Sequence, residues 1–253
     1  MGRLQGKIAL ITGAGQGVGQ GIAFALAKEG AAIAVAGRTE DKLIATCEQI
    51  KGFGAHAVPI RCDVTSADDI THAVAHTVET FGGVDILVNN ANDGGPMRLL
   101  DATDEYFQKG FDTGPMATLR LMRACYPHMA ARGGGAIVNL VSSAAVRWDA
   151  ANYGIYAAVK EAMRSLTRAA ASEWGRDNIR VNAVAPHALS PGLKWWTEKH
   201  PEEAAEFVKT IPLGRVGECE EDIGRAVAFL VSADAGYLTG ATIPLDGGQA
   251  RWC

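Results

Sequence analysis

Ile8-Ala9-Leu10-Ile11-Thr12-Gly13-Ala14-Gly15-Gln16-Gly17-Val18-Gly19 is the stretch whose reading decides the fold. Ile8–Ile11 reads as a short buried strand. The glycines at 13, 15, 17 and 19 read as a tight turn. A helix-like segment follows over 18–29 and ends at Gly30. Glycines let a backbone approach a pyrophosphate closely. The helix N-terminus behind them offers free N–H groups and the positive end of a dipole. Glycines alone are a weak signal; strand, glycine turn and helix in that order, at the head of an alternating series, are a strong one.

Working outward, the alternation continues. Candidate strands are Ile8–Ile11, Ala32–Ala36, Ala57–Arg61, Val84–Val88, Ala136–Val141, Arg180–Val184 and Thr242–Leu245. Helix-like segments lie between them, near 18–29, 40–51, 67–81, 104–131, 153–175 and 220–232. Strand–helix alternation implies βαβ units, right-handed crossovers and helices on both faces of a mostly parallel sheet. The expectation is an α/β chain: one Rossmann-type, doubly wound parallel sheet of about seven strands, spanning 1–253 as a single domain. Gly30, Gly82–Gly83 and Gly175 read as helix ends. The connection 187–213 lacks strand character and reads as a substrate loop at a strand's carboxyl end.

Composition excludes several classes. Net charge is −4, from 24 basic and 28 acidic residues, with no basic run, so nucleic acid is not an expected partner. No apolar run reaches the ~18 residues that span a bilayer, so no membrane association is expected. Ile8–Ile11 is too short for a signal-peptide core, and a cytoplasmic protein is expected. Cys47, Cys62, Cys125, Cys219 and Cys253 are odd in number and widely spaced, and read as reduced thiols. Glycine, at 30 of 253 residues, is well above the usual ~7%.

Three further features carry chemistry. The second strand runs Ala34-Val35-Ala36-Gly37-Arg38. Gly37 stands where an NAD site has Asp or Glu for the ribose hydroxyls, and Arg38 suits a 2′-phosphate, so NADP(H) is favoured and NAD(H) remains possible. Tyr156 and Lys160 are spaced i, i+4 and share a helix face. Acid/base work by a tyrosine at neutral pH needs its pKa brought down from ~10, and a neighbouring ammonium and an oxidised nicotinamide both favour the phenolate. Ser142 and Ser143 sit at the carboxyl end of a strand, where ligands bind in open α/β sheets.

Taken together, these motifs resemble the short-chain dehydrogenase/reductase family, of the 3-oxoacyl-reductase-like ketoreductase type. Thr12–Gly19 matches TGxxxGxG, Asn89-Asn90-Ala91 matches the start of NNAG, Tyr156 and Lys160 match YxxxK, and Arg180-Val181-Asn182 matches the RVN strand. Thr239-Gly240 and Asp246-Gly247-Gly248 match the closing TG…DGG. The resemblance implies an NAD(P)-dependent oxidoreductase with Tyr156 as general acid/base, Lys160 on the nicotinamide ribose, and a serine on the substrate oxygen. It implies cofactor contacts from Gly13, Gln16, Gly17, Val18, Gly19, Asp63, Val64, Asn90, Ala91, Tyr156, Lys160, Pro186 and Leu189, beside Arg38. Counting from Asn139 selects Ser142 as the catalytic serine; counting back from Tyr156 selects Ser143. Strand register is harder to shift than loop length, so Ser142 is preferred. A homotetramer or homodimer is also implied.

Four positions depart from the family pattern. Asn92 stands for the last Gly of NNAG. Gly114 stands for the helix asparagine that is the family's fourth catalytic residue. His187 replaces the Gly after Pro186, and Pro191 replaces a cofactor-contacting Thr. Asn92, Ser143, Trp148, His187 and Trp195 are candidate substrate residues, and the aromatic ones point to an apolar or ring-bearing substrate. Tyr153 reads as pocket wall or packing. His72 and His76, i and i+4, lack a third ligand and read as a surface pair, so no metal is expected. The expected activity is interconversion of a small-molecule ketone and a secondary alcohol with NADP(H). The alternatives are an NAD-dependent alcohol dehydrogenase of the same family and a nucleotide-binding sensor protein with weakened catalysis.

Overall fold

Residues alternate sides along the central strands, and that alternation builds two cores. The computed structural model describes residues 2–147 and 152–252. The strands are β1 (Ile8–Thr12), β2 (Ala32–Gly37), β3 (Ala57–Arg61), β4 (Ile86–Asn89), β5 (Gly135–Leu140), β6 (Ile179–Pro186) and β7 (Thr242–Leu245). They form one sheet in the order β3-β2-β1-β4-β5-β6-β7, and each neighbouring pair is parallel. Order reverses between β1 and β4, and a crevice opens at the carboxyl ends of strands about such a point.

The helices are α1 (Gly17–Lys28), α2 (Glu40–Gly52), α3 (Ala67–Phe81), α4 (Asp104–Phe111), α5 (Ala117–Ala131), α6 (Gly154–Trp174), α7 (Pro191–Lys199), α8 (Pro201–Lys209) and α9 (Arg225–Val231). Ala9, Ile11, Ile33, Val35, Ile86 and Val88 face α1, α2 and α9. Leu10, Ala34, Ala36, Leu87, Ile137 and Val181 face α3, α5 and α6. A strand's period of two sends successive side chains to opposite faces, so strands buried on both sides become near-continuous apolar runs.

Two expectations need correction. The segment 187–213 is mostly helical: α7 and α8 each begin at a proline, and Ser190 caps α7 by accepting from the Leu193 N–H at 3.4 Å. Pro191, Gly192 and Pro201 look like breakers in sequence, yet proline is well placed in a first turn, where its missing N–H costs nothing. The segment 104–131 is α4 and α5 joined by a π turn over Asp112–Met116. Pro115 lies inside that turn, and its missing N–H cannot complete an α-helical bond. Gly175 does end α6, as its C-cap, in a right-handed conformation (φ −58°), and the left-handed residue that follows is Asn178 (φ 57°). Gly30 (φ 97°) and Gly82 (φ 93°) do occupy left-handed helix ends.

Candidate active site

The turn after β1 is shaped for close approach. Gly13 (φ 65°) and Gly17 (φ 60°) sit in the region that L side chains rarely adopt. A side chain on Gly19 would run into the Asn90 amide and the Gly13 carbonyl, so Gly19 lets α1 pack tightly under the turn. The Asn90 Nδ2 donates to the carbonyls of Thr12 (2.9 Å) and Gly13 (3.1 Å). The Thr12 hydroxyl accepts from the Asn90 and Ala91 N–H groups, each at 3.1 Å. The ends of β1 and β4 are thus laced together. Gln16 is the N-cap of α1, but its side chain makes no capping bond; it accepts from Lys42 Nζ at 2.6 Å. The first turn of α1 holds no acidic residue, so its N–H groups and dipole face the crevice uncompensated. These features fit a dinucleotide phosphate.

The crevice is about 480 Å³ and is lined by Gly13, Gln16, Gly17, Val18, Arg38, Asp63, Val64, Asn90, Ala91 and Tyr156, all singled out in the sequence. On the far side, the wall is Ser190, Pro191 and Gly192. Pro186 ends β6, and the Leu189 N–H is spent on the Gly217 carbonyl at 2.8 Å; neither lines this cavity. The Asp63 carboxylate accepts from the Thr65 N–H (2.9 Å) and hydroxyl (2.8 Å). Those bonds, with Arg38 nearby, hold it below the usual carboxylate range. Arg38 Nη1 lies 3.6 Å from Asp93 Oδ2, and Lys109 Nζ, from α4, lies 3.0 Å from the same oxygen.

Ser142, Tyr156 and Lys160 come together, and of the three it is Tyr156 that lines the crevice. Tyr156 and Lys160 share a face of α6, with Lys160 Nζ 5.4 Å from the Tyr156 ring centroid. Lys160 is 2% exposed and donates to the Leu140 carbonyl at 2.8 Å. Ser142 follows β5, accepts from the Ala144 N–H at 3.2 Å, and lies close enough to the Tyr156 hydroxyl to draw that phenol's pKa down. Ser143 turns the other way and donates to Asp246 Oδ2 at 2.6 Å. The two adjacent serines therefore separate cleanly: one addresses the tyrosine, the other a buried carboxylate. Asp246 also accepts from the N–H groups of Gly248 (3.0 Å) and Ala250 (3.2 Å). That carboxylate ties the chain after β7 to the serine turn.

On balance, the protein's own groups do not lower the phenol. Burial pushes Tyr156 up to about 12, against the opposing pull of Ser142. Burial also brings Lys160 down to about 7, so it is a weak cation near neutrality. Desolvation outweighs the attraction that the i, i+4 spacing suggested.

The sequence departures fill space in particular ways. A Cβ on Gly114 would sit 2.5 Å from Val159 Cγ1, so an asparagine has no room there. The same point is 3.8 Å from Asn92 Oδ1, which is buried and finds no hydrogen-bond partner among the described residues. Pro191 Cδ lies 3.1 Å from where a Gly17 Cβ would be, closing α7 onto the phosphate turn. The His187 ring packs edge-on against Phe207 at 5.1 Å, and Phe207 against Trp196 at 5.9 Å. The His187 Nδ1 has no partner among the described residues, and burial lowers its pKa.

Trp195 is 59% exposed on α7, so it is Trp196, not Trp195, that joins this aromatic cluster. Tyr153 is 5.7 Å from the Tyr156 ring and forms part of its surroundings. Trp148 lies outside the described residues. His72 and His76 stack at 5.8 Å on α3. Among the described residues, no group of three or more metal-binding side chains comes together. Sequence reasoning missed Asp93, Lys109 and Ser190. No local signal marks Asp93 or Lys109, whose meeting depends on how 92–100 folds back toward α4. For Ser190, the cue was a Ser-Pro pair at a helix start.

The comparisons agree with this architecture. A family model described as enoyl-(acyl carrier protein) reductase matches residues 13–250. The chain is 38% identical to the 12α-hydroxysteroid dehydrogenase of a Clostridium species, over 99% of each chain. Its fold superposes with TM-score 0.93 on a 7α-hydroxysteroid dehydrogenase complexed with NADH and 7-oxo glycochenodeoxycholic acid, at 34% identity over 99% of this chain and 96% of that one. It superposes with TM-score 0.91 on the L-sorbose reductase of Gluconobacter frateurii complexed with NADPH and L-sorbose, at 33% identity over 100% and 99%. The chain belongs to the short-chain dehydrogenase/reductase family and is an NAD(P)-dependent oxidoreductase.

Proposed function

We propose that this enzyme interconverts a ketone and a secondary alcohol using NADP(H), with Tyr156 as general acid/base, Ser142 on the substrate oxygen and Lys160 behind the tyrosine. The observation that carries this reading is the meeting of Tyr156 with Ser142, which draws the phenol's pKa down, and with the buried Lys160, whose Nζ is 5.4 Å from the tyrosine ring, in a crevice that the glycine turn also lines. A bound nicotinamide dinucleotide supplies or accepts the hydride. Ser142 stabilises charge developing on the carbonyl oxygen. Tyr156, held protonated by burial, hands a proton to that oxygen in reduction. The reverse direction needs the phenolate, so alcohol oxidation climbs as pH rises toward the alkaline range while reduction does not require that rise. Paired pH–rate profiles in the two directions check this.

The remaining cofactor contacts proposed are Gly13, Gln16, Gly17, Val18, Gly19, Arg38, Asp63, Val64, Asn90 and Ala91, with Pro186 and Leu189 on the nicotinamide side. Asn92, Ser143 and His187 lie on the substrate side, Ser143 acting through Asp246. Relatives named as hydroxysteroid dehydrogenases support a cyclic, largely apolar secondary alcohol as the substrate class. Arg38 at the end of β2, with Gly37 in place of an acid, supports NADP(H). The acidic neighbours of Arg38 favour a second reading, NAD(H), and one structural neighbour is complexed with NADH.

Exposed Leu100, Phe107 and Met116 support assembly into a homodimer or homotetramer, which light scattering would count. No helix among the described residues is long and apolar enough to cross a membrane, in keeping with the proposal of a cytoplasmic protein. One continuous sheet supports reading 1–253 as a single domain. The test is oxidation of NADPH against a panel of steroid ketones and simpler cyclic ketones, for the enzyme and for Tyr156→Phe.

A further inference from the structure

Arg38 and Lys109 come from distant parts of the chain, the end of β2 and α4, yet both reach one oxygen. Asp93 Oδ2 is 3.6 Å from Arg38 Nη1 and 3.0 Å from Lys109 Nζ. An oxygen held by two cations marks a point where an anion meets both. That point lies between two cavities. Arg38, Asp63, Asp93 and Thr113 line both the crevice of about 480 Å³ and an adjoining cavity of about 600 Å³ that adds Lys109. The pair therefore stands where the two cavities meet, and Tyr156 lines the first of them but not the one that Lys109 lines.

We propose that Arg38 and Lys109 together form the subsite for the 2′-phosphate of NADP(H), and that Asp93 occupies this subsite as an internal competitor that sets the preference between NADP(H) and NAD(H). This rests on the NADP(H) reading above. A phosphate monoester carries about −1.5 to −2 at neutral pH and offers three acceptor oxygens, so it outcompetes a single carboxylate for two cations. The displaced Asp93 then lies beside the phosphate on a wall that already carries Asp104, Glu105 and Asp112. Like charges oppose the phosphate there. Asp93 thus acts against NADP(H) twice, by holding the cations and by repelling the phosphate, and leaves NAD(H) without that penalty. Lys109 acts in the opposite direction. The side chains of Arg38 and Lys109 are 65% and 60% exposed, so the effects are modest and fall with salt.

Opposite signs make the test. Dissociation constants for NADPH and NADH are measured by fluorescence titration, at low and moderate salt, for the enzyme and for Asp93→Asn, Lys109→Ala and Arg38→Ala. Far-UV dichroism and Tm check that each variant is folded. Asp93→Asn raises the preference for NADPH over NADH roughly two- to five-fold and Lys109→Ala lowers it by a similar factor, both effects shrinking with salt. If Arg38→Ala lowers the preference while Asp93→Asn and Lys109→Ala leave it unchanged, the competitor assignment is overturned and the NADP(H) reading stands. If Arg38→Ala also leaves it unchanged, both fall.

Discussion

Ser142 and Ser143 are neighbours in sequence with different partners, and the difference is measurable. Ser142 faces the Tyr156 hydroxyl and draws its pKa down; Ser143 is 5% exposed and donates to Asp246 at 2.6 Å. Ser142→Ala removes a donor from the reacting oxygen and should lower kcat by roughly 100-fold or more, with the Tm nearly unchanged. Ser143→Ala leaves one acceptor bond of a buried carboxylate unmade and should cost about 1–2 kcal/mol, read as a lower Tm with much of the turnover kept. The sequence left these two serines separated only by a counting argument. Their side-chain directions depend on the short 3₁₀ turn Ser143–Ala145, which no residue pattern announces.

At the scale of elements, the junction between α4 and α5 carries the most specific claim. The π turn Asp112–Met116 presses Gly114 against α6, where a Cβ would meet Val159 Cγ1 at 2.5 Å. Gly114→Ala should destabilise by about 1–3 kcal/mol, through overpacking against a buried branched side chain. Chemical denaturation of the variant checks this, and Gly114→Ala combined with Val159→Ala should recover part of the loss relative to Val159→Ala alone.

The long amphipathic pattern over 104–131 was legible as helix, but the break was not. Pro115 and Gly114 mark its place, while the choice of a π turn depends on packing against α6. The segment 187–213 was legible as a connection without strand character, but its two short helices were not. Its prolines are helix-starting residues in α7 and α8. The seven strands were legible because a parallel sheet covered on both faces demands short unbroken apolar runs.

Across the whole molecule, burying Lys160 links the site to global stability. Lys160 falls from its ordinary value near 10.5 to about 7, because burial penalises the ammonium. The unfolded chain therefore binds more protons than the folded one between about pH 7 and pH 10.5, and stability rises with pH in that window. Tyr156, raised from 10 to about 12, gives the opposite slope only above about pH 10. Lys160→Met should be more stable than the parent at pH 7, and the advantage should shrink as pH approaches 10. Urea denaturation across that range is the check, and an advantage constant with pH would contradict the assignment.

The fold and the Ser–Tyr–Lys set were legible because they rest on local periodicity and on motifs in chain order. The pairing of Arg38 with Asp93 and Lys109 was not, since it arises only when β2, the segment after β4 and α4 meet at one rim.

The central claim is that Tyr156 gives its proton to a substrate carbonyl oxygen as a ketone is reduced. Stopped-flow oxidation of enzyme-bound NADPH, followed at its absorbance maximum after mixing with a cyclic or steroid ketone, tests it most directly. The account predicts a ketone-dependent decay that Tyr156→Phe slows by roughly 100-fold or more while still binding NADPH. Equal decay rates in the two proteins, or no ketone-dependent decay across the panel, would contradict it.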